Sequence, residues 1–248
     1  MQIRDLNIVP LQSEQYLVTA VDVSAAIGEK EHDVLKVPPE QTGKMAVRVG
    51  LLEVMASGAE IIAVHDVVGA EMEPTGRRVI NGIQEELQLA GLGQIELNGS
   101  TEENMATAQT SVGVIVIGLV NHSQLKVNNV KKEAILFGYG EPRMGKELLE
   151  KPVLEVTYDK VIELVKRDDV FELVPVGSKG ILYEANLLAQ LNDCTFIEEA
   201  ECSHSWLNKS AGPATSLLIA VKPKDADAFR TVYPAAFVLG KLVKKTDS

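Results

Sequence analysis

The chain alternates between unbroken apolar runs and segments with helical spacing. Residues Tyr16 to Val23 read Tyr-Leu-Val-Thr-Ala-Val-Asp-Val. A run without polar alternation predicts a strand covered on both faces, and Asp22 stands near its end. Glu60 to Val67 predicts a second buried strand. Thr110 to Val120, rich in Val, Ile and Gly, predicts a long third one. Thr42 to Ser57 sets Val49, Leu52 and Ala56 on one helical face, with Gly58 as the stop signal. Ala46, Gly50, Glu53 and Ser57 form the neighbouring stripe, where small residues around one carboxylate let another group approach. Thr75 to Gly91 predicts a second helix, capped at Thr75 and stopped at Gly91. A short strand, Gln94 to Asn98, then runs into a loop that starts at Gly99.

The second half alternates again. Ile135 to Tyr139, Val170 to Val176 and Ser216 to Val221 predict strands. Tyr158 to Lys166, Ser178 to Leu191 and Lys224 to Val232 predict helices. Gly138, Gly140, Pro142 and Gly145 punctuate the chain and place a boundary between residues 121 and 150. The expected domains are 1–125 and 126–248. Strands and helices mingled in this way predict an α/β or α+β fold.

Composition narrows the picture. Hydrophobic residues make up 46% of 248, enough for a real core, while aromatics are only 4%. Burial therefore rests on Val, Ile, Leu and Ala. The net charge of -11 disfavours a nucleic-acid partner. The short basic tail Lys241-Leu242-Val243-Lys244-Lys245 reads as a solvated C-terminus. Cys194 and Cys202 form no CxxC pair and no disulfide scaffold, which suits a reducing, cytoplasmic setting. The N-terminus lacks signal-peptide regions. The longest apolar stretch, around Val112 to Val120, is about half of what a bilayer requires, so no membrane partner is expected.

Four carboxylates stand out. Asp22 ends a buried strand, Glu53 sits on the small-residue helix face, Glu102 lies in a Gly-Ser-Thr loop, and Asp33 precedes Val34. Magnesium takes hard oxygen ligands, usually a few carboxylates plus substrate phosphates. Acids at strand ends lie where α/β proteins bind ligands. On spacing alone, ordinary solvated acids are the simpler reading. The stretch Asn98 to Met105 can turn backbone amides and the Ser100 and Thr101 hydroxyls to a phosphate, or can be a plain turn. Val176-Gly177-Ser178-Lys179-Gly180 opens a helix, either as an anion site with Lys179 or as a Ser178 cap; Walker spacing is absent. Ser210 to Thr215 reads as a turn before a strand. His32, His65, His122 and His204 are scattered without metal spacing. Ser203 and Ser205 beside His204 make no triad.

Taken in order, Leu17 to Asp22, Val49 to Glu60, Gly99-Ser100-Thr101-Glu102-Glu103-Asn104-Met105 and the strand ending at Gly118 resemble the aminoimidazole ribonucleotide synthetase (PurM-like) superfamily. Thiamine-phosphate kinase and selenophosphate synthetase belong to it. Gly99 to Met105 with Gln109-Thr110, Pro175 to Ile181 and Ser210 to Pro213 are most similar to the α-ribazole kinases of cobalamin salvage. The resemblance implies an α/β N-terminal domain with a mixed sheet that builds a β-barrel at a homodimer interface, plus an α+β C-terminal domain. It implies ATP and Mg2+ as cofactors and a small-molecule acceptor. Asp22 and Glu102 are the implied catalytic residues, and Asp22, Asp33, Glu53 and Glu102 the implied metal ligands. Ser24, Gly99, Ser100, Thr101, Asn104 and Lys179 are the implied nucleotide contacts. Three departures stand beside it. The Gly-Asp-Asp stretch of thiamine-phosphate kinase is missing, no Cys precedes Cys194, and Ala25 and Ala26 stand where the family often carries glycines.

Overall fold

The computed structural model describes residues 1–12, 14–200, 202 and 204–245. Ser203, weighed above beside His204, lies outside the described residues. The chain divides into two compact units, Met1–Val54 with Ala59–Ser123, and Met55–Gly58 with Gln124–Ser248.

The first unit contains β1 (Gln2–Ile3), β2 (Leu6–Pro10), β3 (Gln15–Ala25), β4 (Ile27–Gly28), β5 (Leu35–Lys36), α1 (Pro39–Ala56), β6 (Glu60–Val68), α2 (Arg77–Leu89), β7 (Leu97–Thr101) and β8 (Ser111–Asn121). Six strands make one mixed sheet in the order β1-β2-β3-β8-β6-β7, and β4 and β5 pair separately. β8 runs antiparallel to both neighbours, and β7 lies parallel to β6 at the edge.

The two faces of this sheet differ. On one face Val64, Val68, Val112, Val114 and Val116 are buried. Each such side chain contributes about 1.5–3 kcal/mol relative to exposure. The helices can sit close because glycines line their contacts. A Cβ on Gly82 would collide with the Glu40 carbonyl, one on Gly43 with the Val79 carbonyl, and one on Gly50 would stand 2.7 Å from Val116 Cγ2. On the other face Val21 and Val23 are 63% and 68% exposed and Val67 is 53% exposed. Cross-strand register sets them beside Ile115 and Gly113, so this bare face is apolar and continuous.

The second unit contains β9 (Glu133–Tyr139), α3 (Lys146–Glu150), α4 (Tyr158–Val165), β10 (Val170–Pro175), α5 (Ile181–Leu191), β11 (Cys194–Glu198), β12 (Leu217–Val221), α6 (Ala226–Val232) and β13 (Phe237–Lys244). Its five strands order as β10-β12-β9-β13-β11, all antiparallel. One core forms where Ala185 and Leu188 of α5 meet Leu136, Leu218 and Leu242.

Several expectations change. β1, β2 and β11 have no counterpart in the apolar pattern. The basic tail is not a solvated end: Lys241 to Lys244 belong to β13, paired with β9 and β11, because Leu239 and Leu242 are fully buried. Ser178 caps no helix; α5 begins at Ile181, after Gly180 at φ 85°. Gly99 to Thr101 are not loop residues but the body of β7, whose parallel pairing with β6 overrides their turn preference.

Candidate functional site

β8 carries Val114 in register with two acids. Asp22 of β3 pairs with Val114 on one side, and Asp66 of β6 pairs with it on the other. Directly paired residues share a face, so both carboxylates rise from the helix-covered side of the sheet. The row continues to Gly99 of β7, which pairs with Asp66. Asp22 lies within its strand, since β3 continues to Ala25. Ser24 stands one pleat further, in register with Val112.

Asp66 is the residue the sequence reading passed over. It is 2% exposed, and its Oδ2 has no hydrogen-bond partner. Burial pushes its carboxyl above the usual carboxylate range, against its own backbone hydrogen bond and the nearby His65. Burial likewise lifts Asp22 to about 6, opposed by a backbone hydrogen bond at Val23 and aided by the charge of Asp5. The signal was present: Asp66 ends an apolar run as Asp22 does.

Gly99 has to be glycine here. A Cβ at this position would collide with the Asp66 carbonyl oxygen and its carboxyl carbon. The space beside it is a pocket of about 350 Å³ lined by Asp66, Met72, Ile80, Leu97, Asn98, Gly99, Ser100 and Thr101. Three of the implied nucleotide contacts, Gly99, Ser100 and Thr101, therefore meet Asp66 in one cavity. Apolar Met72, Ile80 and Leu97 form one part of the lining, and oxygen-bearing residues the rest.

The loop after β7 is tied to itself. Glu102 N–H donates to the carbonyls of Val68 and Ala70 at 3.1 and 3.0 Å. Its Oε1 accepts from Asn104 N and Met105 N at 2.7 and 3.1 Å. Glu103 Oε1 accepts from Met72 N at 2.8 Å and from Thr101 Oγ1 at 2.7 Å.

Asp33 holds a different neighbourhood. It is 5% exposed; Oδ1 accepts from Thr110 N at 2.8 Å, and Oδ2 from Thr110 Oγ1 at 2.7 Å and Lys30 N at 2.8 Å. These bonds clamp the segment between β4 and β5 onto the start of β8. Lys30 Nζ adds an ion pair to Glu71 at 2.6 Å and a bond to the Thr107 carbonyl at 3.1 Å. Burial works to raise the Glu71 carboxyl, yet hydrogen bonds from Lys30 and Thr75 hold it at about 2.

Glu53 is buried in α1, one turn beyond Gly50, which packs on Val116. That places its backbone beyond Val116 rather than level with Val114. Lys179 lies in the second unit, where its Nζ meets the Tyr183 hydroxyl at 3.0 Å and stands 4.3 Å from the ring centroid. Among the described residues, no group of three or more His, Cys, Asp or Glu side chains is gathered as a ready metal cage. A site of one or two carboxylates suits an ion that keeps water and ligand oxygens in its shell.

With this geometry in place, the family of the AIR synthase related protein, N-terminal domain, matches residues 4–120. The match covers the part of the chain that forms most of the first unit. Asp22, Asp66, the β7 pocket and all of the sheet but β1 and the last residue of β8 fall inside it. A comparison with curated protein sequences returns no match. Among solved structures, T. maritima PurL complexed with ATP superposes at a TM-score of 0.68 and 15% identity, over 97% of this chain. The chain spans only 42% of that PurL chain. AaThiL complexed with AMPPCP and TMP gives 0.67 at 16% identity, over 97% of this chain and 85% of that one. Thiamine-monophosphate kinase from Stenotrophomonas maltophilia K279a gives 0.63 at 13%, over 98% and 90%. The PurM-like fold follows, and the residues matched by the family model make up its first part. Among the described residues, no helix is long and apolar enough to cross a membrane.

Proposed function

We propose that this protein is a cytoplasmic, magnesium-dependent kinase that transfers the γ-phosphoryl group of ATP to the 5′ hydroxyl of α-ribazole, giving α-ribazole 5′-phosphate for cobalamin lower-ligand salvage. One observation carries the ATP and magnesium part. Asp66 Oδ2 is buried without a hydrogen-bond partner, in the same pocket as Gly99, Ser100 and Thr101. A buried carboxylate oxygen left over in this way is costly unless a cation or donor meets it. The relatives complexed with ATP and AMPPCP support the nucleotide. The acceptor rests on the segments similar to α-ribazole kinases.

In this reading Asp22, Asp66 and Glu102 would hold magnesium. Such an ion would supply positive charge against the phosphates. Asp33 and Glu53 act from behind, the first by clamping Thr110. Asp22 is also the proposed acceptor of the proton of the attacking hydroxyl. The acceptor oxygen bonds to the γ-phosphorus, the bond to the β-phosphate bridge breaks, and ADP leaves. Ser24 and Asn104 complete the proposed nucleotide contacts within the first unit. Two copies of the chain pair through the bare face around Val21, Val23 and Val67, closing a barrel.

The test is ADP release by the full chain with ATP, Mg2+ and α-ribazole, with the phosphorylated product identified by mass spectrometry. Equal amounts of ADP and α-ribazole phosphate support the reading. Turnover with another nucleoside-like acceptor but not with α-ribazole would move the acceptor and keep the kinase. A second reading, a silent nucleotide-binding dimer, has its own motive. Ala26 sits at φ 60°, where glycine is at ease and a methyl group is not. Magnesium-ATP binding by calorimetry without turnover on any acceptor would favour it.

A further inference from the structure

Glu103 reaches across the pocket lining. Its Oε1 receives two donors at once: the backbone N–H of Met72 at 2.8 Å and the Thr101 hydroxyl at 2.7 Å. Met72 and Thr101 both line the pocket, one from the segment after β6 and one from the end of β7. A threonine hydroxyl has a single hydrogen and two lone pairs. Once that hydrogen is committed to Glu103, the oxygen offers only lone pairs to anything else. Thr101 then contacts a ligand as an acceptor. It repels a phosphate oxygen and attracts a cation or a bound water.

Thr101 also shares its sheet face with Asp66. Asp66 pairs with Gly99, and Thr101 follows two residues along β7, one pleat away. The oxygen left over on Asp66 and the lone pairs of Thr101 thus line the same wall. We infer that Glu103 is a positioning residue that fixes Thr101 as a hard-cation contact beside Asp66, so that Thr101 binds on the metal side and not as a phosphate donor. This rests on the magnesium reading given above. It reverses the role that the Gly-Ser-Thr composition suggests for Thr101.

The experiment is Mn2+ binding to the intact chain without nucleotide, followed by electron paramagnetic resonance. Wild type is expected to bind. Thr101→Val, which keeps the shape and removes the lone pairs, should weaken binding about 10-fold. Glu103→Ala, which frees the hydroxyl to turn, should do the same. The double variant should lose no more than either single one, since both changes remove one contact. Glu103→Gln, whose amide oxygen still accepts, should restore affinity to within about 3-fold of wild type. Additive losses, or Glu103→Ala at wild-type affinity, would overturn the inference while leaving the magnesium reading standing. Wild type that binds no Mn2+ overturns both. Glu103 is exposed, so circular dichroism of each variant is expected to match wild type.

Discussion

Asp33 and Asp66 are both buried aspartates in the first unit, yet their surroundings divide the labour of the molecule. Around Asp33 the hydrogen bonds close inward: two from Thr110, one from Lys30, with the Lys30–Glu71 pair beside them. Around Asp66 the account stays open by one oxygen, and a glycine leaves room in front of it. Burial alone does not mark a site. The mark is unspent hydrogen-bonding capacity next to space.

The sharpest way to break this contrast is to exchange the consequences. Asp66→Asn should lower magnesium-dependent ATP turnover by about 10²–10³-fold, because it removes charge where charge is to be met. Its melting temperature should hold or rise, since a desolvated charge is gone. Asp33→Ala should do the reverse. It leaves the buried Thr110 N–H without its acceptor and should cost about 3 kcal/mol of stability in urea unfolding. Equal activity loss in both variants with equal stability would erase the distinction.

A pH titration sharpens it further. Asp22 is raised from 3.8 to about 6, so the folded state holds a proton that the unfolded state releases. Stability should therefore fall as pH rises from about 4 to 6, and Asp22→Asn should flatten that slope. Glu71 is depressed from 4.5 to about 2, so its contribution is present above 4.5 and lost as pH falls towards 2. Glu71→Gln should remove this acid-side loss. Melting curves of wild type and the two variants between pH 2 and 7 separate the two signs. The smallest effect is expected at Ala26. Ala26→Gly relieves the positive φ and should stabilise by about 0.5–1 kcal/mol in the same urea assay.

What the sequence displayed follows the same division. Runs such as Thr110 to Val120 announce themselves because both faces of the central strand need apolar residues or glycine. The helix at Tyr158 was legible through its spacing, and the structure adds a Thr157 cap whose side chain accepts from Lys160 N. β7 was legible only at Leu97 and Asn98, because Gly-Ser-Thr favours turns locally and only the pairing with β6 carries the strand on to Thr101. β13 was hidden by lysines that alternate with buried leucines at the end of the chain. Asp22 was legible as an acid at the end of an apolar run, while Asp66, with the same signature, was overlooked. The bond from Thr101 to Glu103 joins residues two apart, but its meaning depends on Met72, far off in sequence. No local pattern carries that.

The ladder through Val114 has a mechanical consequence. Two hydrogen-bonded strand spacings separate the backbones of Asp22 and Asp66, about 10 Å in all. That interval is kept by the central strand of the sheet, with neighbours on both sides. The hydrogen bonds that tie the loops around it can break without stretching it. The sheet therefore works as a ruler: wear should appear first in the loops, and only at global unfolding as a change in the spacing of the two acids along the sheet.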